Sequence, residues 1–306
     1  MGEPRAGGAV EALYAEVRAR VGTAAADGPP DGPVLREVAP GIQVLALRSP
    51  TLPPAAHTNV YLVGPAGGPL VVVDPGSPYP DQQAVLDAVL MAQPIAAVLL
   101  THHHGDHVGG AAALAARWGV PIVAHPITAR LLEGIVEVTR GLEDGDVLGA
   151  AGRAHPITAV HTPGHAEGHL CFEVGGATLA GDMVAGVGTI LIDPAEGDMA
   201  RYLASLERLL ARPATTLLPA HGPAIPDGPG KLREYLAHRQ MRERRVWAAL
   251  TDAPATLAQL VTRAYADTPA ALWPIAERSL EAHLIKLVRE GRAAIDDAGY
   301  SARPWH

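Results

Sequence analysis

From residue 34 onward the chain switches between two hydrophobic rhythms. Short apolar or alternating runs bounded by Gly and Pro read as strands, and longer stretches with apolar residues three and four apart read as amphipathic helices. Residues 34–38 and 42–47 predict two strands around a turn at Pro40-Gly41, and residues 59–63 and 70–74 predict two more. After Asp74-Pro75-Gly76 the rhythm lengthens. Residues 81–92 predict a helix, 97–100 a buried strand, 108–118 a helix and 121–124 a strand. This alternation predicts a sheet covered by helices. Strands resume at 157–160, 170–174 and 177–180, followed by a helix at 202–210 and a strand at 216–219. From Lys231 the texture is helical and charged. Residues 233–250, 255–265 and 279–290 predict helices, and 292–299 a strand and a turn. Three helices ending in a small hairpin describe a winged-helix-like unit. Ahead of all this, residues 9–21 predict a short amphipathic helix, and residues 24–33, rich in Ala, Gly, Pro and Asp, a linker. The expected organisation is an N-terminal helix and linker (1–33), a mixed α/β (α+β) main body (34–230) and a helical C-terminal unit (231–306).

Composition narrows the class. The 306 residues are 48% hydrophobic but only 4% aromatic, with a single Phe, so Ala, Val and Leu must do most of the packing. One cysteine, Cys171, excludes an intrachain disulfide, and its place in an apolar strand reads as core filler. No apolar run approaches the roughly 20 residues of a membrane span. The N-terminus lacks a signal peptide's apolar core, so a soluble, cytoplasmic protein is expected. Nothing in the sequence sets an oligomeric state, with a homodimer the assembly to test. Charge is uneven: residues 1–230 hold 12 basic against 23 acidic side chains, and residues 231–306 hold 12 against 9. The body is thus a poor general polyanion binder, and the tail is mildly basic.

The densest chemistry lies in Thr101-His102-His103-His104-Gly105-Asp106-His107, directly after the apolar run 96–100. Neutral imidazole and carboxylate oxygen are the donors that a borderline cation such as Zn²⁺ prefers, and without one they are costly to bury together. In an extended loop His102 and His104 project to one side and are expected to share a cation. Asp106 and His107 turn towards a second, and His103 points away. Three later signals complete the set. Thr162-Pro163-Gly164-His165 presents an imidazole after a tight turn, Leu179-Ala180-Gly181-Asp182 a carboxylate at a strand end, and Leu218-Pro219-Ala220-His221 another imidazole. Any one of these alone is an ordinary turn; their succession, each after an apolar strand, is not. The count assigns His102, His104 and His165 to one cation, Asp106, His107 and His221 to the other, and Asp182 as the bridge. Each cation keeps an open position, as catalysis requires. Two Zn²⁺ ions are expected, with manganese or iron as alternatives. Water shared between such cations is held as hydroxide near neutral pH. Hydrolysis is therefore the expected reaction, with Asp106 also positioning the nucleophile.

With these residues in view, the sequence resembles the metallo-β-lactamase superfamily over about residues 34–228. The likeness is carried by His102-x-His104-x-Asp106-His107, His165, Asp182 and His221, and by residues 59–63, Val73-Asp74-Pro75-Gly76 and Leu142-Glu143-Asp144-Gly145-Asp146. It implies an αββα sandwich with the metals at one edge of the two sheets. The C-terminal part, through His238-Arg239, Arg244-Arg245, Leu257 to Tyr265 and Ala282-His283-Leu284-Ile285-Lys286-Leu287 with Glu290-Gly291, resembles the winged-helix-like addition of the β-lactamase-like-protein-two subgroup. That subgroup's relatives include endoribonucleases acting on single-stranded RNA and thioesterases that release acyl chains from carrier proteins. Asp182 stands where common β-lactamases carry Cys, which argues against antibiotic hydrolysis. His104 stands where diiron flavoproteins carry Glu, which favours zinc over redox iron. Retention of Asp106 and His221 argues for two metals rather than one, and the long inserted arm of transfer-RNA-processing relatives is not found.

Other residues carry two readings. Asp74 is either a hydrogen-bond partner of a ligand imidazole or a strand-end turn carboxylate. His169 either contacts substrate or donates a proton, or is a partly buried histidine at a strand start. His161 reads as structural. His57 and the helix-opening pair Arg201-Tyr202 are weighed as cleft-lining residues, with ordinary surface positions the simpler reading. Arg239, Arg242, Arg244 and Arg245 form either a polyanion contact or, with Glu234 and Glu243 among them, a solvated face. The C-terminal unit is expected to pack over the metal cleft and shape substrate rather than to read DNA. The function expected is a zinc-dependent hydrolase of an ester or thioester, on a small or carrier-bound acyl substrate. The alternatives are a single-strand-specific endoribonuclease and, more remotely, a non-catalytic winged-helix regulator with a vestigial metal site.

Overall fold

Alternation along each strand decides which layer a side chain enters. In the segment His57–Val63 (β3), Tyr61 and Val63 face one way and Val60 and Leu62 the other, and all four are buried. The same split holds in Leu70–Val73 (β4) and Ile95–Leu99 (β5). These strands belong to a computed structural model that describes residues 34–65, 67–149 and 155–303, with Ala15 and Ala19 as isolated helical positions. The rest of the helix and linker expected at 1–33 lies outside the described residues.

Among the described residues the first sheet has seven strands in chain order: Arg36–Ala39 (β1), Ile42–Arg48 (β2), β3, β4, β5, Ile122–Ala124 (β6) and Arg140–Gly141 (β7). Its first four strands pair antiparallel and its last four parallel. The parallel pairings are spanned by helices Pro80–Leu90 (α1), Gly105–Val108 (α2), Ala111–Trp118 (α3) and Pro126–Leu131 (α4). The second sheet runs Thr216–Pro219 (β12), Ala177–Gly181 (β11), Leu170–Val174 (β10), Ile157–His161 (β9) and Val147–Leu148 (β8). Between the sheets Tyr61, Val73, Leu99, Leu170, Phe172 and Leu218 share one apolar cluster. On the outer face of the first sheet, Val60, Leu62 and Val98 pack on Leu86 and Leu90 of α1 and Leu114 of α3. On the outer face of the second, Cys171 and Leu217 pack on Tyr202 and Leu206 of Met199–Leu210 (α5). The order is therefore helix, sheet, sheet, helix, as expected.

The C-terminal part comprises Gly228–Ala249 (α6), Leu257–Ala264 (α7), Trp273–Arg289 (α8) and the hairpin Ala293–Asp296 (β13) and Gly299–Ala302 (β14). Val246, Leu260, Leu280, Leu284, Leu287 and Tyr300 form its core. It is also tied to the body. Leu232 and Tyr235 of α6 and Ala282 of α8 belong to the cluster around α5, and Tyr235 Oη accepts a hydrogen bond from Ala185 N–H at 2.9 Å.

The structure corrects several predicted bounds. The helix expected at 108–118 is two helices broken at Gly109-Gly110, because the loop 75–77 packs on that point. A Cβ on Gly109 would lie 2.6 Å from Gly76 O, and one on Gly110 2.7 Å from Pro75 O. The long tail helix begins at Gly228 rather than 233, capped by Asp227, whose carboxylate accepts from Gly230 N–H. The last helix begins at Trp273 rather than 279. Helix α4 and the two-residue strands β7 and β8 carry too short a pattern to register in the sequence.

Candidate metal centre

Every signalled ligand leaves the C-terminal end of a strand at one edge of the sandwich. Residues 101–107 follow β5, the turn bearing His165 follows β9, Asp182 follows β11 and His221 follows β12. The edge is fastened across the two sheets: Asn59 Nδ2 donates to Pro219 O (2.9 Å) and Gly222 O (2.8 Å), and Tyr61 Oη donates to Pro219 O (2.7 Å). Gly181 lets β11 deliver its carboxylate. Its φ is +48°, and a Cβ there would lie 2.5 Å from His169 Nε2.

Two sets of donor atoms converge. In the first, His102 Nε2 and His104 Nδ1 are 2.9 Å apart, and His165 Nε2 lies 3.3 and 3.0 Å from them. In the second, His221 Nε2 lies 3.4 Å from Asp106 Oδ2, and His107 Nε2 lies 3.9 Å from Asp106 Oδ1. Asp182 stands between the sets. Its Oδ1 lies 3.5 Å from His107 Nε2 and 3.3 Å from His221 Nε2, while its Oδ2 lies 3.5 Å from His165 Nε2.

The outward side of each ring explains why these atoms need a cation. His165 Nδ1–H donates to Leu191 O (2.9 Å), His221 Nδ1–H to His57 O (2.9 Å), His107 Nδ1–H to Asp74 Oδ2 (2.8 Å) and His104 Nε2–H to Glu196 Oε2 (2.8 Å). Thr101 Oγ1 gives its hydrogen to Asp74 Oδ2 (2.6 Å), so it accepts from His102 Nδ1 (2.9 Å). Each ring therefore keeps a proton outside and leaves its inner nitrogen to a cation or, on His107 and His221, to a second proton. Inward lone pairs packed this closely repel one another unless a cation lies among them. His107 Nε2 and Asp182 Oδ1, both buried, have no hydrogen-bond partner among the described residues. The donor set fits two borderline divalent cations.

Electrostatics separate the two sets. Burial, aided by the imidazoles of His107, His104 and His165, holds His102 well below the ordinary histidine range, and burial brings His165 to about 4. Burial also opposes charge on His107 and His221, but Asp182 and Asp106 overcome it and raise both. Burial likewise works against a charged Asp182, yet His221 and His107 hold it well below the carboxylate range. A cation bound to the second set would take the place of those protons.

The structure resolves the double readings. Asp74 backs His107 and also accepts from Thr101 N–H at 2.8 Å, from a backbone at φ +50°. His169 is fully buried; its Nε2 accepts from Asp182 N–H (3.1 Å) and its Nδ1 meets Thr162 Oγ1 (2.8 Å). It supports the Asp182 backbone and is not among the residues lining the cavity over the centre, so the buried-histidine reading fits it better than substrate contact. His103 points away from the first set as expected, with Nε2 3.4 Å from Glu196 Oε2. His161 stacks on His125 at 4.4 Å and bonds Glu167 O, a structural role. His57 contributes its carbonyl rather than its ring. Tyr202 is buried and donates to Met183 O, and Arg201 pairs with Glu167 at 3.7 Å, so neither lines the cleft. Cys171 is buried, and burial pushes its thiol up to about 12. Glu196 and Thr101 were not singled out in the sequence. Glu196 sits in an irregular loop with no periodicity, and Thr101 looks like any strand-end threonine.

The centre opens into a cavity of about 1110 Å³. Asp106, His165, Asp182 and His221 lie on its floor, and Leu52, Leu131, Ile135, Val187 and Leu191 on its apolar walls. The C-terminal part closes one side with His238, Arg242, Tyr265, Leu272 and Ile275. Three of the four arginines singled out on α6 are engaged within the protein, and Arg244 is exposed. Arg239 is buried and donates to Ile190 O, while Arg242 and Arg245 pair with Asp267 at 2.7 and 2.5 Å. The polyanion reading of this helix loses Arg239, and Asp267 partly offsets Arg242 and Arg245.

Comparison with known proteins agrees with this geometry. Residues 53–221 match the family model of the metallo-beta-lactamase superfamily. The chain belongs to that superfamily. Its residues 256–305 match the beta-lactamase associated winged helix domain. An atrochrysone carboxyl ACP thioesterase from Claviceps purpurea is 30% identical over 252 residues, covering 79% of this chain and 77% of the relative. A beta-lactamase-like protein 2 homolog from Drosophila melanogaster is 30% identical over 263 residues, covering 78% and 84%. The crystal structure of a beta-lactamase domain protein from Burkholderia ambifaria superposes with a TM-score of 0.77 over 92% of this chain and 97% of that one. At 24% identity that likeness is one of fold. No helix among the described residues is long and apolar enough to cross a membrane.

Proposed function

We propose that this protein is a binuclear zinc-dependent hydrolase of acyl thioesters, with the acyl group presented on a carrier protein. The observation that carries this reading is the position of the large apolar cavity, directly over Asp106, Asp182, His165 and His221. Its volume exceeds the range of roughly 300–1,000 Å³ usual for small-molecule sites, leaving room for a bulky acyl group. The name of the Claviceps purpurea relative supports the thioester. The engaged arginines of α6 do not favour the RNA alternative.

His102, His104 and His165 would hold one cation and Asp106, His107 and His221 the other, with Asp182 facing both. When bound, the cations acidify water and polarise the acyl oxygen. The chain's own residues do the positioning. Asp106 faces the cavity and orients the attacking water by accepting its hydrogen bond, which directs the water's oxygen at the thioester carbon. Thr51 Oγ1, 3.4 Å from His221 Nε2, flanks the same point. The apolar walls exclude bulk water and hold the acyl chain so that its carbonyl rests over the donor atoms. Attack breaks the carbon–sulfur bond; a carboxylic acid and a thiol leave.

The test sets zinc-loaded protein against a panel of acyl thioesters, free and carrier-bound, beside single-stranded RNA, with a chelated control. The expected outcome is chelator-sensitive thiol release, faster with bulky apolar acyl groups, and intact RNA. RNA cleavage with the thioesters left whole would contradict the proposal.

A further inference from the structure

Residues 190–198 form neither helix nor strand, yet they orient two of the three imidazoles in the first set. Leu191 O accepts from His165 Nδ1 (2.9 Å), and Glu196 Oε2 accepts from His104 Nε2 (2.8 Å). Asp198 N–H donates to Gly164 O, beside His165, at 2.8 Å. The segment is itself gripped from the C-terminal helices. Arg239 of α6 donates to Ile190 O; Arg278 of α8 makes a two-pronged contact with Asp193 at 2.6 and 3.0 Å; Arg289 of α8 pairs with Asp198. Asp193 is buried, and its carbonyl accepts from Glu196 N–H (3.1 Å) and Gly197 N–H (2.6 Å), closing the turn that aims Glu196.

We infer that Glu196 is a positioning residue for His104, and that the C-terminal unit sets the first cation site through the contact of Arg278 with Asp193. His104 differs from the other four rings in turning Nδ1 inward, where they turn Nε2. That arrangement requires the ring proton to stay on Nε2, and the Glu196 carboxylate is the group that keeps it there. Without Glu196 the proton is free to move to Nδ1, where it would face a cation. A carboxylate behind a ligand imidazole also makes the ring a stronger donor. The winged-helix part thereby acts on the metal centre through a chain of contacts: Arg278, Asp193, the turn at 194–197, Glu196 and His104.

The inference rests on the metal centre of the proposed function and not on its substrate. The test is metal binding by the full chain, stripped by chelator and titrated with Co²⁺, read by the Co²⁺ absorption spectrum and by chelator competition. Far-UV circular dichroism follows the fold. Wild-type protein should bind two equivalents. Glu196→Ala should weaken one of them about 10–100-fold and leave the other unchanged. Glu196→Gln, whose amide oxygen can still accept from Nε2–H, should lose less, and it carries the comparison if the alanine variant does not fold. Arg278→Ala should weaken the same equivalent several-fold. Because it acts through Glu196, the double variant should match Glu196→Ala alone. Wild-type affinity in both Glu196 variants, or additive losses in the double variant, would overturn the inference alone. Wild-type protein that takes up no Co²⁺ would overturn the metal centre and the inference with it.

Discussion

The two ligand sets meet at one carboxylate but are supported in opposite ways. The second set, Asp106, His107 and His221, leans on the sheets: Asp74 at the end of β4 backs His107, and His57 O in β3 backs His221. The first set, His102, His104 and His165, leans on Thr101 and on the irregular segment 190–198. The second set contains a carboxylate, and its rings are raised by Asp182 and Asp106 against burial; the first is made of imidazoles, with His102 and His165 lowered by burial. The comparison teaches that one donor set is built into the frame of the sandwich, whereas the other is assembled by a loop that a second part of the protein holds in place. If both sets hold cations as proposed, unequal affinities are expected, with the sheet-backed site the tighter.

Asp182 belongs to both sets, and its loss should erase the distinction. Asp182→Ala is expected to weaken both cations by more than the roughly 100-fold that follows loss of an outer partner. Calorimetric titration with Zn²⁺ checks this, and one site left intact would show that the carboxylate does not bridge. Next in size is Asp106→Asn. Turnover of a thioester substrate should fall about 10²–10⁴-fold, while the three-imidazole set still holds its cation. Near-normal turnover with metal bound would remove Asp106 from the reaction.

Asp74→Asn sharpens the contrast further. It should weaken the second set about 10–100-fold and leave the Glu196-backed set unchanged, the reverse of Glu196→Ala. Equal effects on both sites would mean that the two supports are not separate. The smallest expected effect is Gly181→Ala. A residue with a Cβ at φ +48°, pressed on His169 Nε2, should lower stability by about 1–3 kcal/mol, seen as a lower Tm of the metal-free protein. An unchanged Tm would show that the His169 contact yields easily.

The sheet-backed half of the centre was the legible half. Strands β4, β5, β11 and β12 announce themselves by apolar runs, and the last three deliver their ligands within a few residues of their ends, so Asp106, His107, Asp182 and His221 could be placed from spacing alone. The same count assigned Asp182 as the bridge, and its carboxylate lies within 3.5 Å of donor atoms of both sets. The loop-backed half was legible only in its ligands. Glu196 escaped notice because its role depends on a turn closed by Asp193 and on arginines about 80–90 residues further along, a separation that leaves no local pattern. The arginines of α6 misled for the same reason. Their run suggested a charged face, which Arg244 and Arg245 do form, but Arg239 is buried against the cavity and Arg242 and Arg245 share Asp267. Helix bounds failed where tertiary packing overrode the pattern, at Gly109-Gly110 and at the start of α6.

The most direct test of the account is stepwise Zn²⁺ titration of the stripped, full-length protein with elemental analysis at saturation. Two equivalents per chain bound with distinct affinities, the weaker one lost first as chelator is added and lost alone in Glu196→Ala, is the predicted result. A single equivalent, or none, in a folded wild-type chain would contradict it.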